Sequence, residues 1–369
     1  MAGSISMEDC VAMLLQRGII LPSDVVNDSL HVVDRSSRNV MYLVRTGESG
    51  CVVKMPVPGE PGTDVTFDNE VRFYEWMKSE PGRALRDVVP RSVLLSREPP
   101  LVVCEYVGTG MSLLEQAFPA AGDVRFSGHA RHLGVLLARI HAVDVDTLLD
   151  AFWADPPWIF SVGRPRPAML HSAFPTGFEV IHFVQSSQPL SMLLDRLRRT
   201  WRPECLVHGD FKWGNVLPTD DGMVVVDWEL ARLGPPAWDL ACVLQDYASV
   251  WFNHLVYDGS VSFAEAISQN TIELADIQKE CRTFWSAYLD ARSIDGAQAN
   301  DLLSETLRHL AARLVQAAVE HAGGDGELPN QALYRLQFAA NLARDPDRYG
   351  FQFFRIPQRL DLVTVAEGG

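Results

Sequence analysis

Residues 206–217 read LVHGDFKWGNVL and place Asp210, Lys212 and Asn215 within six positions between apolar flanks. Buried strand ends seldom carry that much charge, because an unpaired charge is costly to take out of water. After the turn signal TDDG (219–222), the run MVVVD (223–227) delivers a further acid, Asp227, at a strand end. Two acids and an amide at neighbouring strand ends suit Mg2+, a hard cation that takes a few protein oxygens alongside substrate phosphates. With Asn215 and Asp227 as metal ligands, Asp210 remains to accept the proton of an attacking hydroxyl. Phosphoryl transfer requires that division of labour.

The same chemistry asks for a lysine against the nucleotide phosphates. Lys54 lies in the apolar run CVVKM (51–55), where burial demands a counter-ion, and Glu70 in the following helical run is the candidate. CEYVG (104–108) falls where a hinge would join two lobes, and the backbone of Glu105 and Val107 offers C=O and N–H groups to an adenine ring. A lone His-Gly-Asp also makes an ordinary turn. Five elements in this order make a nucleotide site.

The 369 residues carry a formal net charge of −15, with 47% hydrophobic and 21% charged residues. The acid excess argues against a nucleic-acid surface, which needs clustered Lys and Arg. Most of it reads as solvated surface, with a weak bias toward a cationic partner. Six cysteines, none in a CxxC pair, read as buried free thiols of a reducing compartment. The N-terminal run has Glu8 and Asp9 where a secretory leader would be basic, and no uncharged apolar run is long enough to span a bilayer. The chain therefore reads as cytoplasmic, with no membrane partner.

Residues 6–17 read as a short amphipathic helix. LHVVD (30–34), VMYLVR (40–45) and CVVKM (51–55) read as an antiparallel meander, FDNEVRFYEWMK (67–78) as a helix, and SVLLS (92–96) and PLVVCEYV (100–107) as two more strands. Beyond about residue 109 the spacing is helical, as for Leu133, Leu136, Leu137 and Ile140. Residues 154–178, rich in Pro, Gly and aromatics, read as a long ordered loop, and the stretch over 156–168, with Arg164 and Arg166, is a candidate acceptor lining. Helices are expected over about 188–200, from 236, and over 263–292, 300–322 and 330–343. The expected architecture is α+β and bilobal: a small β-rich lobe over 1–108 and a larger helical lobe over 109–369.

HGDFKWGN, then VVVDWE, then PAWDLA resembles the aminoglycoside-phosphotransferase and choline-kinase-like enzymes, relatives of the protein kinases, over about residues 30–350. The resemblance implies Asp210 as catalytic base, Asn215 and Asp227 as Mg2+ ligands, and Lys54 on the phosphates of ATP or GTP with Glu70 as its pair. It implies that Asp239 braces the catalytic loop and that His208 orients it. Lys212, two residues after the base as in protein kinases, would neutralise the transferring phosphate. The turn DRSSRN (34–39) departs from a glycine-rich phosphate loop, leaving Ser36, Ser37, Arg38 and Asn39 as the phosphate donors there. Glu229 reads equally as a third metal-proximal acid or a surface residue. His141 reads as packing, and Trp213 and Trp228 as core.

The acceptor is less legible. The run from Trp201 to Leu244 resembles the phosphotransferase-type kinases of lanthipeptide and thioamitide biosynthesis. That implies phosphorylation of a peptide Ser or Thr, with elimination by a partner lyase. The alternatives are a small-molecule hydroxyl, on an aminoglycoside, sugar or amino alcohol, and a non-catalytic nucleotide-binding scaffold.

Overall fold

The alternation in VMYLVR and CVVKM belongs to strands whose two faces meet different surroundings. The computed structural model describes residues 5–358, apart from 37–38, 48, 58, 60–61, 109, 119–125, 127, 150, 167–174, 258–261 and 322–326. The chain divides into two units, one made of Met1–Gln116, Asp146–Trp153 and Gly214–Ala231, the other of Ala117–Val145, Ala154–Trp213 and Arg232–Gly369.

The first unit is built on a five-stranded antiparallel sheet. Its strands are β1 (Leu30–Asp34), β2 (Asn39–Thr46), β3 (Ser49–Pro56), β4 (Ser92–Arg97) and β5 (Pro100–Glu105), in the order β1-β2-β3-β5-β4. Val40, Tyr42, Val44, Cys51, Val53 and Met55 alternate onto one face and pack with Cys10 and Leu14 of α1 (Met7–Gln16). Lys54, of opposite parity in β3, therefore points to the other face. That face is covered by the helix Thr63–Trp76, which follows a second short helix, α2 (Pro22–Val26), and is labelled α3. A lysine placed under a helix is thereby buried, at 9% exposure. Later in the chain the same unit receives the hairpin β7 (Val216–Thr219) and β8 (Gly222–Val225), which follows β6 (Cys205–Val207), and one 3-10 turn, Trp228–Leu230. Trp228 stacks on Phe73 of α3 with ring centroids 4.1 Å apart. Asn69 of α3, fully buried, donates to the carbonyls of Glu229 and Ala231 at 2.9 Å each.

The second unit is helical. After α4 (Leu113–Ala117), most of which belongs to the first unit, come α5 (Ala130–Ile140), α6 (Pro175–Ser186), α7 (Gln188–Thr200), α8 (Ala237–Asn253), α9 (Phe263–Ser268), α10 (Leu274–Arg292), α11 (Gly296–His321), α12 (Asn330–Arg344) and α13 (Pro346–Phe354). The two-stranded ribbon of β6 and β9 (Arg232–Gly234) brings the chain to α8, which is buried almost all round. Residues 154–178 are not wholly loop: Trp158–Ser161 form a 3-10 turn and α6 begins at Pro175. A proline at the first helical position lacks an N–H that would go unpaired there anyway, so the Pro-rich composition concealed a helix start. The six cysteines are free and buried, and no helix among the described residues is long and apolar enough to cross a membrane.

Helices α5 and α10 approach through Gly134, where an added Cβ would lie 2.5 Å from the Phe284 carbonyl oxygen and 2.9 Å from the Tyr288 nitrogen. Both neighbours are backbone and cannot rotate away. Gly134→Ala should therefore destabilise the second unit by about 1–3 kcal/mol despite alanine's better helix propensity. A thermal melt showing an unchanged or raised midpoint would contradict this packing.

Candidate active site

Two clusters of charged side chains stand out, one in each unit. In the first, the Lys54 ammonium lies 2.7 Å from Glu70 and 2.8 Å from Glu229, and hydrogen-bonds Asp227. Each acid arrives by a different route. Glu70 is one residue beyond Asn69 on α3, so the residue that grips the 228–230 turn also sets the glutamate. Asp227 caps that turn with φ of 68°, a left-handed conformation costing a non-glycine residue about 1 kcal/mol or more and typical of functional sites. Glu229 is steered by Asn39, whose amide donates to its carboxylate at 2.8 Å. Asn215 is buried at the foot of β7, and its carbonyl accepts the Val226 N–H at 2.9 Å, so it neighbours Asp227 across the hairpin end.

Burial alone would lower the Lys54 pKa, but Glu70, Asp227 and Glu229 together hold it well above the usual lysine value. One ammonium cannot neutralise three carboxylates. The excess falls on Glu70, the most buried: desolvation lifts it to about 7 against the pull of Lys54, with Asp227 and Glu229 adding to the rise. Glu70, Asp227 and Glu229 each place a carboxylate oxygen within 4.8 Å of the others. An all-oxygen set with surplus negative charge fits a hard divalent cation.

The second cluster is the loop 208–213. The Asp239 carboxylate, on the first turn of α8, accepts the backbone N–H groups of His208 at 2.7 Å and Gly209 at 3.0 Å. Trp238 donates its indole N–H to the Gly209 carbonyl at 2.9 Å. Two turns along α8, Asp246 accepts the Trp213 N–H at 2.6 Å, so one helix holds both ends of the loop. The His208 ring accepts the Asp210 N–H at 3.3 Å. His141, between Tyr288 at 2.9 Å and Asp239 at 3.4 Å, supports the brace from behind, and burial lowers its pKa. Asp210 itself carries two cations: Lys212 Nζ is 2.6 Å from Oδ2 and Arg313 Nη2 is 3.0 Å from Oδ1. Burial would raise the Asp210 pKa, but Arg313 and Lys212 outweigh it and bring it down to about 2.

Other expected residues have partners within their own unit. Ser36 accepts the Met41 N–H at 3.0 Å, and Ser37 and Arg38 fall outside the described residues. The Glu105 carboxylate receives the Arg91 backbone N–H and Nε at 3.1 and 3.2 Å, and the Val107 carbonyl accepts the Gly110 N–H at 3.3 Å. Arg164 pairs with Asp195 at 3.0 Å. Trp213 and Trp228 are buried.

Residues 30–277 match the family model described as the phosphotransferase enzyme family, about two thirds of the chain. The chain belongs to that family. The phosphotransferase shares its fold with a choline kinase from Cryptosporidium parvum, at a TM-score of 0.58 and 10% identity over 94% of this chain and 98% of that one. An ethanolamine kinase from Plasmodium vivax matches at a TM-score of 0.55 and 14% identity, over 92% and 91% of the two chains. An amicoumacin kinase in complex with AMP-PNP, Ca2+ and Ami matches at 0.52 and 14%, over 93% and 97%. No curated protein sequence matches it significantly.

Among the residues of the phosphotransferase's two clusters that escaped the sequence reading are Asn69, Asp246 and Arg313. Asp246 alone left a trace, since it sits two turns after Asp239 on the same face of a legible helix. Burial lifts the Asp246 carboxyl to about 7, against the Trp213 N–H and Arg313, which pull it down. The folded protein therefore keeps this proton over a range in which the unfolded chain, titrating near ~3.9, has lost it. This group's contribution to stability falls as pH rises from about 4 through about 7 and is level above that. Asp246→Asn keeps an acceptor for Trp213 and removes the titration. Urea midpoints at about pH 5 and about pH 8 should then lie closer together than in wild type. An unchanged gap would remove Asp246 from the pH dependence.

Proposed function

We propose that this phosphotransferase moves the γ-phosphoryl group of Mg·ATP to an alcohol hydroxyl. The observation that carries the reading is the first cluster: a buried ammonium among three carboxylates, offering a phosphate contact and hard-cation ligands from the same few residues. Asp227 and Asn215, with Glu229 beside them, would hold Mg2+, which when bound neutralises charge on the transferring and leaving phosphate oxygens. Lys54 would contact the nucleotide phosphates, fixed by Glu70. Asp210, held ionised, would orient the acceptor hydroxyl and take its proton as the oxygen–phosphorus bond forms and the bond to the ADP oxygen breaks. Lys212, whose side chain is 42% exposed, would turn from Asp210 to the transferring phosphoryl group.

For the acceptor, the fold neighbours support a small-molecule hydroxyl, since they are named for choline, ethanolamine and amicoumacin. The net charge of −15 would suit a polycation, but Asp210 is flanked by Lys212 and Arg313, which disfavours a cationic group close to the reacting hydroxyl. A neutral alcohol fits better. The second reading is a peptide Ser or Thr whose phosphate a partner lyase then eliminates. It is supported by the Lys212–Asp210 contact, an arrangement that resembles the protein kinases. A non-catalytic scaffold has no need of an intact Lys54, Asp210, Asn215 and Asp227.

Mass spectrometry after incubation with Mg·ATP tests the acceptor directly. One panel holds neutral alcohols, amino alcohols and aminoglycosides, and the other Ser/Thr-rich peptides with and without a lyase candidate. A phosphorylated small alcohol supports the proposal, a phosphorylated or dehydrated peptide the second reading, and no transfer to any acceptor counts against both. Asp210→Asn should lower the rate by ~10²–10⁴-fold with nucleotide affinity nearly unchanged. Asp227→Ala should abolish Mg2+-dependent ATP binding in calorimetry, and retention of wild-type affinity would remove it from the metal site.

A further inference from the structure

Arg313 lies on α11, 103 positions beyond Asp210 in sequence, and is 1% exposed. One guanidinium nitrogen, Nη2, donates to Asp210 Oδ1 at 3.0 Å and to Gln245 Oε1 at 3.3 Å. The guanidinium carbon stands 5.3 Å from the ring centroid of Trp238, the residue that holds the Gly209 carbonyl. Nε and Nη1 have no hydrogen-bond partner among the described residues. Burying a guanidinium with donors unmet is a poor way to gain stability. The cost is understandable if the contact serves the carboxylate instead.

The two oxygens of Asp210 are held differently. Oδ2 faces Lys212, a flexible and partly exposed side chain, whereas Oδ1 faces Arg313, buried and fixed by Gln245 and Trp238. We infer that Arg313 is a positioning residue for phosphoryl transfer: it anchors Oδ1 throughout the reaction, so that Oδ2 receives the acceptor proton when Lys212 leaves it. The inference rests on the reading of Asp210 as the base. A planar guanidinium is suited to this role because its donors are rigidly placed and its charge is not lost at any working pH. The titratable and charged groups around the pair are Lys212 and His208 from the loop, Cys242 and Asp246 from α8, and Glu320 from α11 beyond Arg313. Of these, Arg313 and Lys212 both draw the Asp210 carboxyl down.

The test uses the full chain with 13Cγ-labelled aspartate, the Asp210 resonance being assigned by its absence in Asp210→Asn. Arg313→Met should raise the Asp210 titration midpoint by at least about one pH unit. Steady-state Mg·ATP hydrolysis, with water as acceptor, should fall by ~10–10²-fold in kcat with KM for ATP unchanged, and the acid limb of the pH profile should move with the NMR midpoint. Arg313→Lys, a charge without the rigid fork, guards against a methionine variant that fails to fold. It should leave the midpoint closer to wild type yet still lose about tenfold in kcat. A folded Arg313→Met with the wild-type midpoint, or an Arg313→Lys with wild-type kcat, overturns the inference. If the midpoint shifts as expected but Asp210→Asn turns over normally, the contact stands, the base assignment is lost, and with it the positioning role.

Discussion

The Asp239 carboxylate accepting the N–H groups of His208 and Gly209 is the bond on which the second unit's loop depends. A buried chain leaving a strand without entering a helix has polar backbone groups with no regular partner, and these must be met by side chains. Here α8 meets them from consecutive positions: Asp239 takes two donors and Trp238 supplies one. Asp239 is in turn backed by His141 and Tyr288. The loop's shape is thus set by a helix and its neighbours, and Asp210 inherits that rigidity through its N–H to the His208 ring.

The two clusters are electrostatic opposites. In the first, one cation faces three acids; in the second, one acid faces two cations. The first holds acids in excess of its one ammonium, which suits a metal ion in the proposed reaction, and the second sets two cations at Asp210, which suits a phosphoryl group.

Much of this was legible because it is written in local order. Lys54 within an apolar strand, the His-Gly-Asp-x-x-x-x-Asn spacing and the strand-borne Asp227 are patterns over a few residues, and the strands of the sheet announced themselves by alternation. The illegible residues act across the chain. Asn69 bonds carbonyls 160 and 162 positions away, and nothing near it distinguishes it from a solvated helix residue. Arg313, in AARLVQAAV, reads as a helix surface arginine until the packing of α11 on α8 buries it. Helix α13 was missed because its start, Asp345 capping ahead of Pro346, looks in sequence like a turn. Glu229 was ambiguous because its role depends on Asn39, 190 positions earlier.

The buried thiols have a consequence of their own. Desolvation pushes Cys10 up to about 11 and Cys51 and Cys104 to about 12, and holds Cys205, Cys242 and Cys281 well above the ordinary thiol value. Almost no thiolate is present in the native protein, so alkylating reagents and mild oxidants have nothing to attack until a segment opens. Cys10, Cys51 and Cys104 belong to the first unit, and Cys205, Cys242 and Cys281 to the second. The molecule therefore carries its own set of opening reporters, divided evenly between its units, and the order in which they become alkylable reads out which unit loosens first.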